Sequence, residues 1–118
     1  MQVYESEEMY LETILLLKKK RSCVRSIDIA EELGYSRPSV CNAVHQLEKK
    51  GYITIKSAEI NFTAEGQKKA EAVYERHQVI TGLFVKMGAS EAVAEENACR
   101  VEHVLTEEMF TVIKNFMK

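Results

Sequence analysis

The sequence is short of residues that interrupt regular structure and of features that mark membrane or secreted proteins. Its 118 residues include one proline, five glycines and no tryptophan. No aliphatic run approaches the ~20 residues that a membrane-spanning helix needs, and the acidic start MQVYESEEMY does not resemble a secretory signal. We therefore expect a cytoplasmic protein without a membrane partner.

The chain also has few cysteines and no excess of basic charge. Cys23, Cys41 and Cys99 lie far apart and are odd in number, which argues against a disulfide framework and leaves each as a small buried hydrophobe or a metal ligand. Sixteen Lys and Arg against eighteen Asp and Glu give a net charge of −2. Because neither half of the chain is rich in basic residues, bulk charge alone does not indicate a nucleic-acid partner.

The chain does contain strong helical periodicity and a regular series of helix caps. Ser26, Ser36, Thr63, Ser90 and Thr106 each precede a periodic segment and are predicted N-caps. Polar and apolar residues alternate near the middle of the chain, which is typical of a short hairpin. The predicted helices cover residues 6–20, 27–33, 37–50, 64–86, 91–105 and 107–117, and the hairpin has strands at 52–56 and 60–62 with a polar break at 57–59. The predicted fold class is mainly α.

Two short helices joined at Gly34 and followed by a hairpin predict a winged helix-turn-helix over residues 1–62. Ala30 lets the two helices approach, and Val40, Val44 and Leu47 form the inner face of the second, recognition helix. The candidate DNA contacts are Ser36, Arg37, Pro38, Ser39 and Asn42 at the start of that helix, and Lys49, Lys50 and Lys56 for phosphates. Double-stranded DNA is the expected partner. The alternatives are simple helix packing and a wing that contacts protein.

Residues 63–118 are predicted to form a helical domain with more apolar surface than it can bury alone. The predicted fifth and sixth helices carry an apolar stripe, which comprises Val101, Leu105, Met109, Val112, Ile113 and Phe116. An exposed apolar surface of this kind indicates a protein partner, and a symmetric homodimer is the default.

The predicted fifth helix also carries Cys99, Glu102 and His103 at positions i, i+3 and i+4, which share one helix face. A thiolate, a carboxylate and an imidazole are ligands for a divalent transition metal. Burial of such groups side by side is costly without a cation. The sequence therefore predicts a metal site.

Three further side chains reach that site only if the first, fourth and fifth helices pack together. They are Met9 and Glu12 on the first helix and His77 on the fourth. Taken singly, each has a plain structural interpretation: a core methionine, a solvated carboxylate and a surface histidine.

Five stretches carry a resemblance to a known family: E-M-Y-L-E-T-I, S-R-P-S-V, T-A-E-G, R-H and A-C-R-V-E-H-V-L. They resemble the diphtheria toxin repressor family of iron- and manganese-dependent transcriptional regulators, over residues 6–109. The resemblance implies a metal-activated repressor that binds a palindromic operator and controls metal-homeostasis genes. It places Met9, Cys99, Glu102 and His103 on the activating site of iron-responsive members. It places His77 on their neighbouring site, and Glu12 where manganese-responsive members have a carboxylate.

The chain departs from the iron-responsive pattern at two ligand positions. Thr81 and Glu95 stand where those members have a carboxylate and a second histidine in the neighbouring site. Those members also continue into a small third, SH3-like domain, which is not expected here because the chain stops at Lys118. In place of a separate second site we expect a compact cluster that draws His77 and Glu12 toward Glu102.

Ligand softness orders the candidate metals. A thioether and a thiolate disfavour Mn2+ and suit Fe2+, Co2+, Ni2+ and Zn2+. We therefore expect Fe2+ as the effector, with Mn2+ second because of Glu12.

Two other functions stay open at this point. One is a winged-helix regulator that does not respond to metal, in which the cluster is core. The other is a metal carrier or metalloenzyme, since Cys, His and Glu also form catalytic zinc sites. The sequence has no Gly-rich phosphate loop and no nucleophile-elbow motif, so we predict a protein that is not an enzyme.

Overall fold

The computed structural model describes residues 7–118, and over this range the chain is mainly helical, as predicted. The elements are α1 (Glu7–Lys20), α2 (Ser26–Leu33), α3 (Arg37–Lys49), β1 (Ile53–Lys56), β2 (Glu59–Phe62), α4 (Ala64–Lys86), α5 (Glu91–Val101) and α6 (Glu107–Met117). The predicted helix start at Ser6 lies outside the described residues. The described chain divides into two compact units, residues 7–71 and 72–118. The hairpin predicted as the wing ends at Phe62, whereas the boundary between the two units lies further along the chain, inside α4.

The first unit is built around α1, which packs against both α2 and α3. This helix is buried on most of its circumference between residues 9 and 17, which is typical of a helix in a core. Its residues Leu11 and Ile14 are fully buried, as are Val40 and Val44 on the inner face of α3. The predicted inner face of the recognition helix is therefore confirmed.

Local caps fix the turn between α2 and α3. Gly34 adopts a left-handed conformation with φ of +73°, and its N–H donates to the Ala30 carbonyl. Gly34 ends α2 here because a residue with a Cβ would be strained at this positive φ, whereas glycine is not. The Ser36 hydroxyl then accepts a hydrogen bond from the Ser39 N–H at 3.3 Å and starts α3, as predicted.

The predicted cap of α2 is wrong by one residue. Ser26 is the first residue of the helix, and Arg25 occupies the cap position. The reason lies three residues on, where the Asp28 carboxylate accepts a hydrogen bond from the Arg25 N–H at 2.9 Å. This is the half of a capping box that a side chain inside the helix supplies. Arg21 donates to the same carboxylate at 2.9 Å.

The wing is an antiparallel hairpin with Ile53 opposite Phe62 and Lys56 opposite Glu59. Its turn contains only Ser57 and Ala58, whereas the predicted break also included residue 59. Both turn residues have positive φ, +49° and +67°. That combination is the two-residue turn whose twist matches the strands, here built without the usual Asn-Gly.

In the second unit the caps are as predicted, but α5 is shorter than predicted. The Ser90 and Thr106 hydroxyls accept hydrogen bonds from the N–H groups three residues on. However, α5 ends at Val101, four residues before the predicted end at Leu105. The Val104 N–H bonds to the Val101 carbonyl at 3.0 Å. This tighter i to i−3 bond turns the chain before α6 begins.

The second unit leaves large apolar side chains exposed. They are Val85, Met87, Val93, Val104, Met109, Val112 and Phe116. Three of the six stripe residues named above, Met109, Val112 and Phe116, are in this set, whereas Ile113 is buried. In residues 7–118 none of the helices combines the length and the apolar character that crossing a membrane requires.

Candidate metal centre and DNA-binding face

Glu102 is the centre of a cluster in the second unit. The residue follows the last turn of α5 and is completely buried. Its Oε2 lies 3.0 Å from Nδ1 of His77, and its Oε1 lies 3.2 Å from Nε2 of His103. Each carboxylate oxygen thus faces an imidazole nitrogen, one from α4 and one from the residue next in the chain.

The backbone at the end of α5 brings neighbouring side chains to the same place. Glu102 keeps helical dihedral angles, and its N–H still donates to the Ala98 carbonyl at 2.9 Å. His103 lies beyond the helix in the turn that follows. Because α5 ends at Val101, the prediction that Cys99, Glu102 and His103 share one continuous helix is wrong for Glu102, which is the C-cap, and for His103. The turn nevertheless places its imidazole against Glu102.

The donor chemistry of this cluster fits a divalent transition metal. Two imidazoles and a carboxylate are the nitrogen and oxygen ligands that such ions accept, and ligand atoms of His77 and Glu102 lie within 4.8 Å of each other, close enough to share one ion. The side chains of His77 and His103 are 15% and 3% exposed, so the group is shielded from water. A buried carboxylate in such a place is stabilised by a cation.

The other predicted ligands lie on two helices. Cys99 is half-buried on α5, one turn before Glu102. Met9 and Glu12 are buried on α1 in the first unit. The assignment of all six side chains as ligands stays a prediction.

The predicted DNA contacts lie on the surface of the first unit. All eight predicted contact residues are exposed. They are Ser36, Arg37, Pro38, Ser39 and Asn42 at the start of α3, Lys49 and Lys50 at its end, and Lys56 on β1. Pro38 falls in the first turn of α3, where its missing N–H leaves no helical hydrogen bond unmade. The start of the helix is therefore open to a partner.

Two profiles of known families match almost the whole chain. Residues 2–59 match "Iron dependent repressor, N-terminal DNA binding domain", and residues 63–118 match "Iron dependent repressor, metal binding and dimerisation domain". The chain belongs to the iron-dependent repressor family. This family consists of metal-dependent transcriptional regulators rather than enzymes, and its members bind DNA and dimerise through the C-terminal domain.

Individual relatives agree with this membership. An uncharacterized HTH-type transcriptional regulator of Methanocaldococcus jannaschii is 30% identical over 117 residues, which cover 97% of this chain and 94% of the relative. The transcriptional regulator MntR of Escherichia coli O6:H1 is 32% identical over 108 residues, covering 91% and 70%. A solved manganese-dependent transcriptional repressor in complex with manganese superposes with a TM-score of 0.86 at 19% identity. The match covers 95% of this chain and 52% of that structure, and it supports the fold.

One of the predicted phosphate contacts is paired with a carboxylate in this member of the family. Glu7 at the start of α1 forms ion pairs with Lys50 and Lys69, the latter at 2.8 Å. Burial of Glu7 works against its ionisation, but the hydrogen bonds from the two lysines outweigh burial and lower its pKa. The bond to Glu7 raises the pKa of Lys69, which also donates to the Tyr52 hydroxyl at 3.3 Å.

Sequence reasoning missed two groups next to the cluster. Glu95 appeared only as a departure from the family pattern, yet its Oε1 lies 3.7 Å from Nε2 of His77. Arg76 appeared only as the first residue of the R-H stretch and was given no role, although its guanidinium donates to the Glu102 carbonyl at 2.7 Å. A lone arginine beside a histidine on a helix is usually solvated, so no local signal marks it.

Proposed function

We propose that this chain is a metal-activated transcriptional repressor whose homodimer binds a palindromic DNA operator in the cytoplasm and controls metal-homeostasis genes. The observation that carries the proposal is the fully buried Glu102 carboxylate, with one oxygen 3.0 Å from His77 and the other 3.2 Å from His103. Membership of the iron-dependent repressor family supports it.

The proposed ligands come from both units. Met9, Glu12, His77, Cys99, Glu102 and His103 are the six side chains that would hold the metal. When bound, the cation would balance the negative charge of the buried Glu12 and Glu102 carboxylates and would be coordinated by side chains that are distant in sequence. The thioether and thiolate favour Fe2+ as the effector, and the carboxylates make Mn2+ the second choice.

Met9 and Glu12 connect the metal site to DNA binding, because they lie on the helix that supports the helix-turn-helix. Within the first unit, α1 packs against α2 and α3, so a restraint on α1 is passed to the recognition helix. In a dimer the two recognition helices must lie about 34 Å apart to enter successive major grooves. The proposal is that the metal-loaded arrangement favours this spacing.

The exposed start of α3 supplies the DNA contacts in this proposal. Arg37 and Asn42 are suited to the edges of guanine and adenine, and Pro38 to a thymine methyl group. Ser36 and Ser39 bind phosphates or bases, and Lys49, Lys50 and Lys56 bind phosphates. Because Lys50 is paired with Glu7, we expect it to contribute least among the lysines.

The experiment that tests this function starts with selection of binding sites from a random duplex library in the presence of Mn2+, or of Fe2+ without oxygen. The affinity for the selected duplex is then measured by fluorescence anisotropy with metal and with a chelator. Metal should tighten binding by about 5–150-fold, the usual range for coupled sites. Equal affinity in both conditions would select a regulator that does not respond to metal. Absence of DNA binding would favour a metal carrier.

Two variants locate the site in the same assay. His103→Ala and Cys99→Ala should abolish the metal response and leave the circular dichroism spectrum unchanged. His45→Ala is the matched control, because His45 is a solvent-exposed histidine on α3 beside Glu48. It should bind metal as the wild type does. A metal response that survives in a folded His103→Ala protein would place the site elsewhere.

A further inference from the structure

We propose that Arg76 is a positioning residue for the metal site, which fixes the backbone of the turn that carries Glu102 and His103. The inference rests on the proposed function, because it assigns to one residue the task of holding two proposed ligands in place. All the residues on which it rests lie in the second unit.

Arg76 binds both ends of the ligand turn. Its Nη1 donates to the Glu102 carbonyl at 2.7 Å and to the Leu105 carbonyl at 3.1 Å. These two carbonyls bracket the segment between α5, which ends at Val101, and α6, which begins at Glu107. The guanidinium thus replaces backbone bonds that a helix end lacks.

The same guanidinium is anchored on α6. Its Nη2 donates to the Glu107 carboxylate at 2.9 Å, and its carbon lies 5.2 Å from the centre of the Phe110 ring. The Arg76 side chain is 11% exposed, whereas that of Glu107 is 87% exposed. An arginine so deeply buried depends on its hydrogen bonds, because a buried charge that lacks some of its hydrogen bonds destabilises the fold. Most of that compensation comes from the two turn carbonyls.

Consecutive residues of α4 therefore hold Glu102 at both ends. His77 lies 3.0 Å from its side-chain oxygen, and Arg76 lies 2.7 Å from its main-chain oxygen. A shift of the turn would move Glu102 away from His77 and would carry His103 with it. Groups that orient metal ligands in this way typically change metal affinity by about 10–100-fold when they are removed.

The test is a titration of the full-length protein with Co2+, which reports affinity and, through its visible absorption bands, the geometry of the ligands. Arg76→Met keeps a long apolar stem over Phe110 and removes every hydrogen bond. We expect its Co2+ dissociation constant to rise about 10–100-fold, with altered absorption bands. Arg76→Lys keeps the charge but lacks the planar fork, so its affinity should fall between those of Arg76→Met and the wild type.

Lys114→Met is the matched control, because Lys114 pairs with Glu75 at 2.9 Å and also joins α6 to α4, away from the ligand turn. It should leave Co2+ affinity and absorption unchanged. The inference is overturned if a folded Arg76→Met protein has wild-type affinity and bands, or if Lys114→Met weakens Co2+ binding equally. If Arg76→Met does not fold, Arg76→Lys decides: unchanged affinity and bands overturn the inference, and a loss at an unchanged melting temperature supports it. Failure of the wild type to bind Co2+ would instead overturn the proposed function, and this inference with it.

Discussion

The first unit encloses its large aliphatic side chains, whereas the second leaves many of its own on the surface. Ile29, Ile53 and Ile60 are all at least 99% buried in the first unit. In the second unit the largest fully buried side chains are Ile80 and Glu102, one of them a carboxylate. All the exposed large hydrophobic side chains found in residues 7–118 lie in the second unit.

This difference indicates how each unit obtains its stability. The first unit buries an aliphatic core of its own, which suits a scaffold that must present a recognition helix rigidly. The second unit buries a carboxylate between histidines and exposes an apolar surface, so its structure is completed by what binds to it. A cation and a second copy of the chain are the partners that we propose.

The largest expected effect concerns the exposed apolar surface of the second unit. Phe116 is 63% exposed on α6 and lies 5.0 Å from the Lys86 ammonium. Phe116→Asp should leave the monomer folded, because the new carboxylate can pair with Lys86. It should weaken dimerisation by about 2 kcal/mol or more if Phe116 is central to the interface. Sedimentation velocity measures this change.

Asn115→Asp adds the same charge to the neighbouring exposed position of α6 and serves as the control. It should dimerise nearly as the wild type does. If Phe116→Asp dimerises as strongly as Asn115→Asp, the interface lies elsewhere, and dimerisation does not explain why Phe116 is exposed.

Two glycines of α4 should respond in opposite directions, and they belong to different units. A Cβ on Gly66 would lie 1.8 Å from the Tyr52 carbonyl oxygen, whereas a Cβ on Gly82 would meet only the flexible end of Met117 at 3.4 Å. Gly66→Ala should therefore destabilise the protein by about 1–3 kcal/mol, as overpacking does. Gly82→Ala should stabilise it by about 0.4–1 kcal/mol through reduced entropy of the unfolded chain.

Urea denaturation followed by circular dichroism gives both values, and each variant is the control for the other. Equal effects of the two substitutions would mean that the close contact at Gly66 is relieved by a shift of α4. The first unit would then be less tightly packed than its burial indicates.

The smallest expected effect is the pH dependence of the ion pairs of Glu7 in the first unit. The pKa of Glu7 is lowered from its ordinary value of 4.5. Its pairs with Lys50 and Lys69 therefore stabilise the fold above that pH, and this contribution is lost as the pH falls through the lowered pKa. Glu7→Gln should cost about 0.2–1 kcal/mol at pH 7, and the difference from wild type should shrink in acid.

Denaturation midpoints between pH 7 and pH 3 provide the measurement. Glu31→Gln removes an exposed carboxylate of α2 in the same unit and controls for net charge. A constant difference between Glu7→Gln and wild type over this pH range would show that the ion pairs do not stabilise the fold.

Much of the first unit could be predicted because its signals are local. Ser36 caps a helix through a bond three residues away, and Gly34 ends one through its own left-handed backbone. The error at Ser26 has the same origin. Two acceptors lie within a few residues of each other, the Ser26 hydroxyl and the Asp28 carboxylate. The carboxylate accepts from the Arg25 N–H, so the helix begins at Ser26 rather than one residue later.

The candidate site was only partly predictable. Cys99, Glu102 and His103 are close in sequence, so their spacing alone indicated a shared location. His77 was a candidate only on the condition that the fourth and fifth helices pack together, and Arg76 was given no role. The end of α5 was also missed, because the Arg76 guanidinium bonds to the turn from 26 residues away. No sequence window reveals such a contact.

By itself the sequence determined the order of the elements, most of their caps and the two segments in which to look for function. Periodicity and short-range hydrogen bonds set these features, and both are readable within a few residues. Only the tertiary structure decided that Glu102 is fully buried, that His77 faces it across 25 residues and that Arg76 binds its carbonyl. Those contacts depend on how α4 packs against the end of α5, and the packing of two helices is the sum of many side-chain contacts rather than of any one motif.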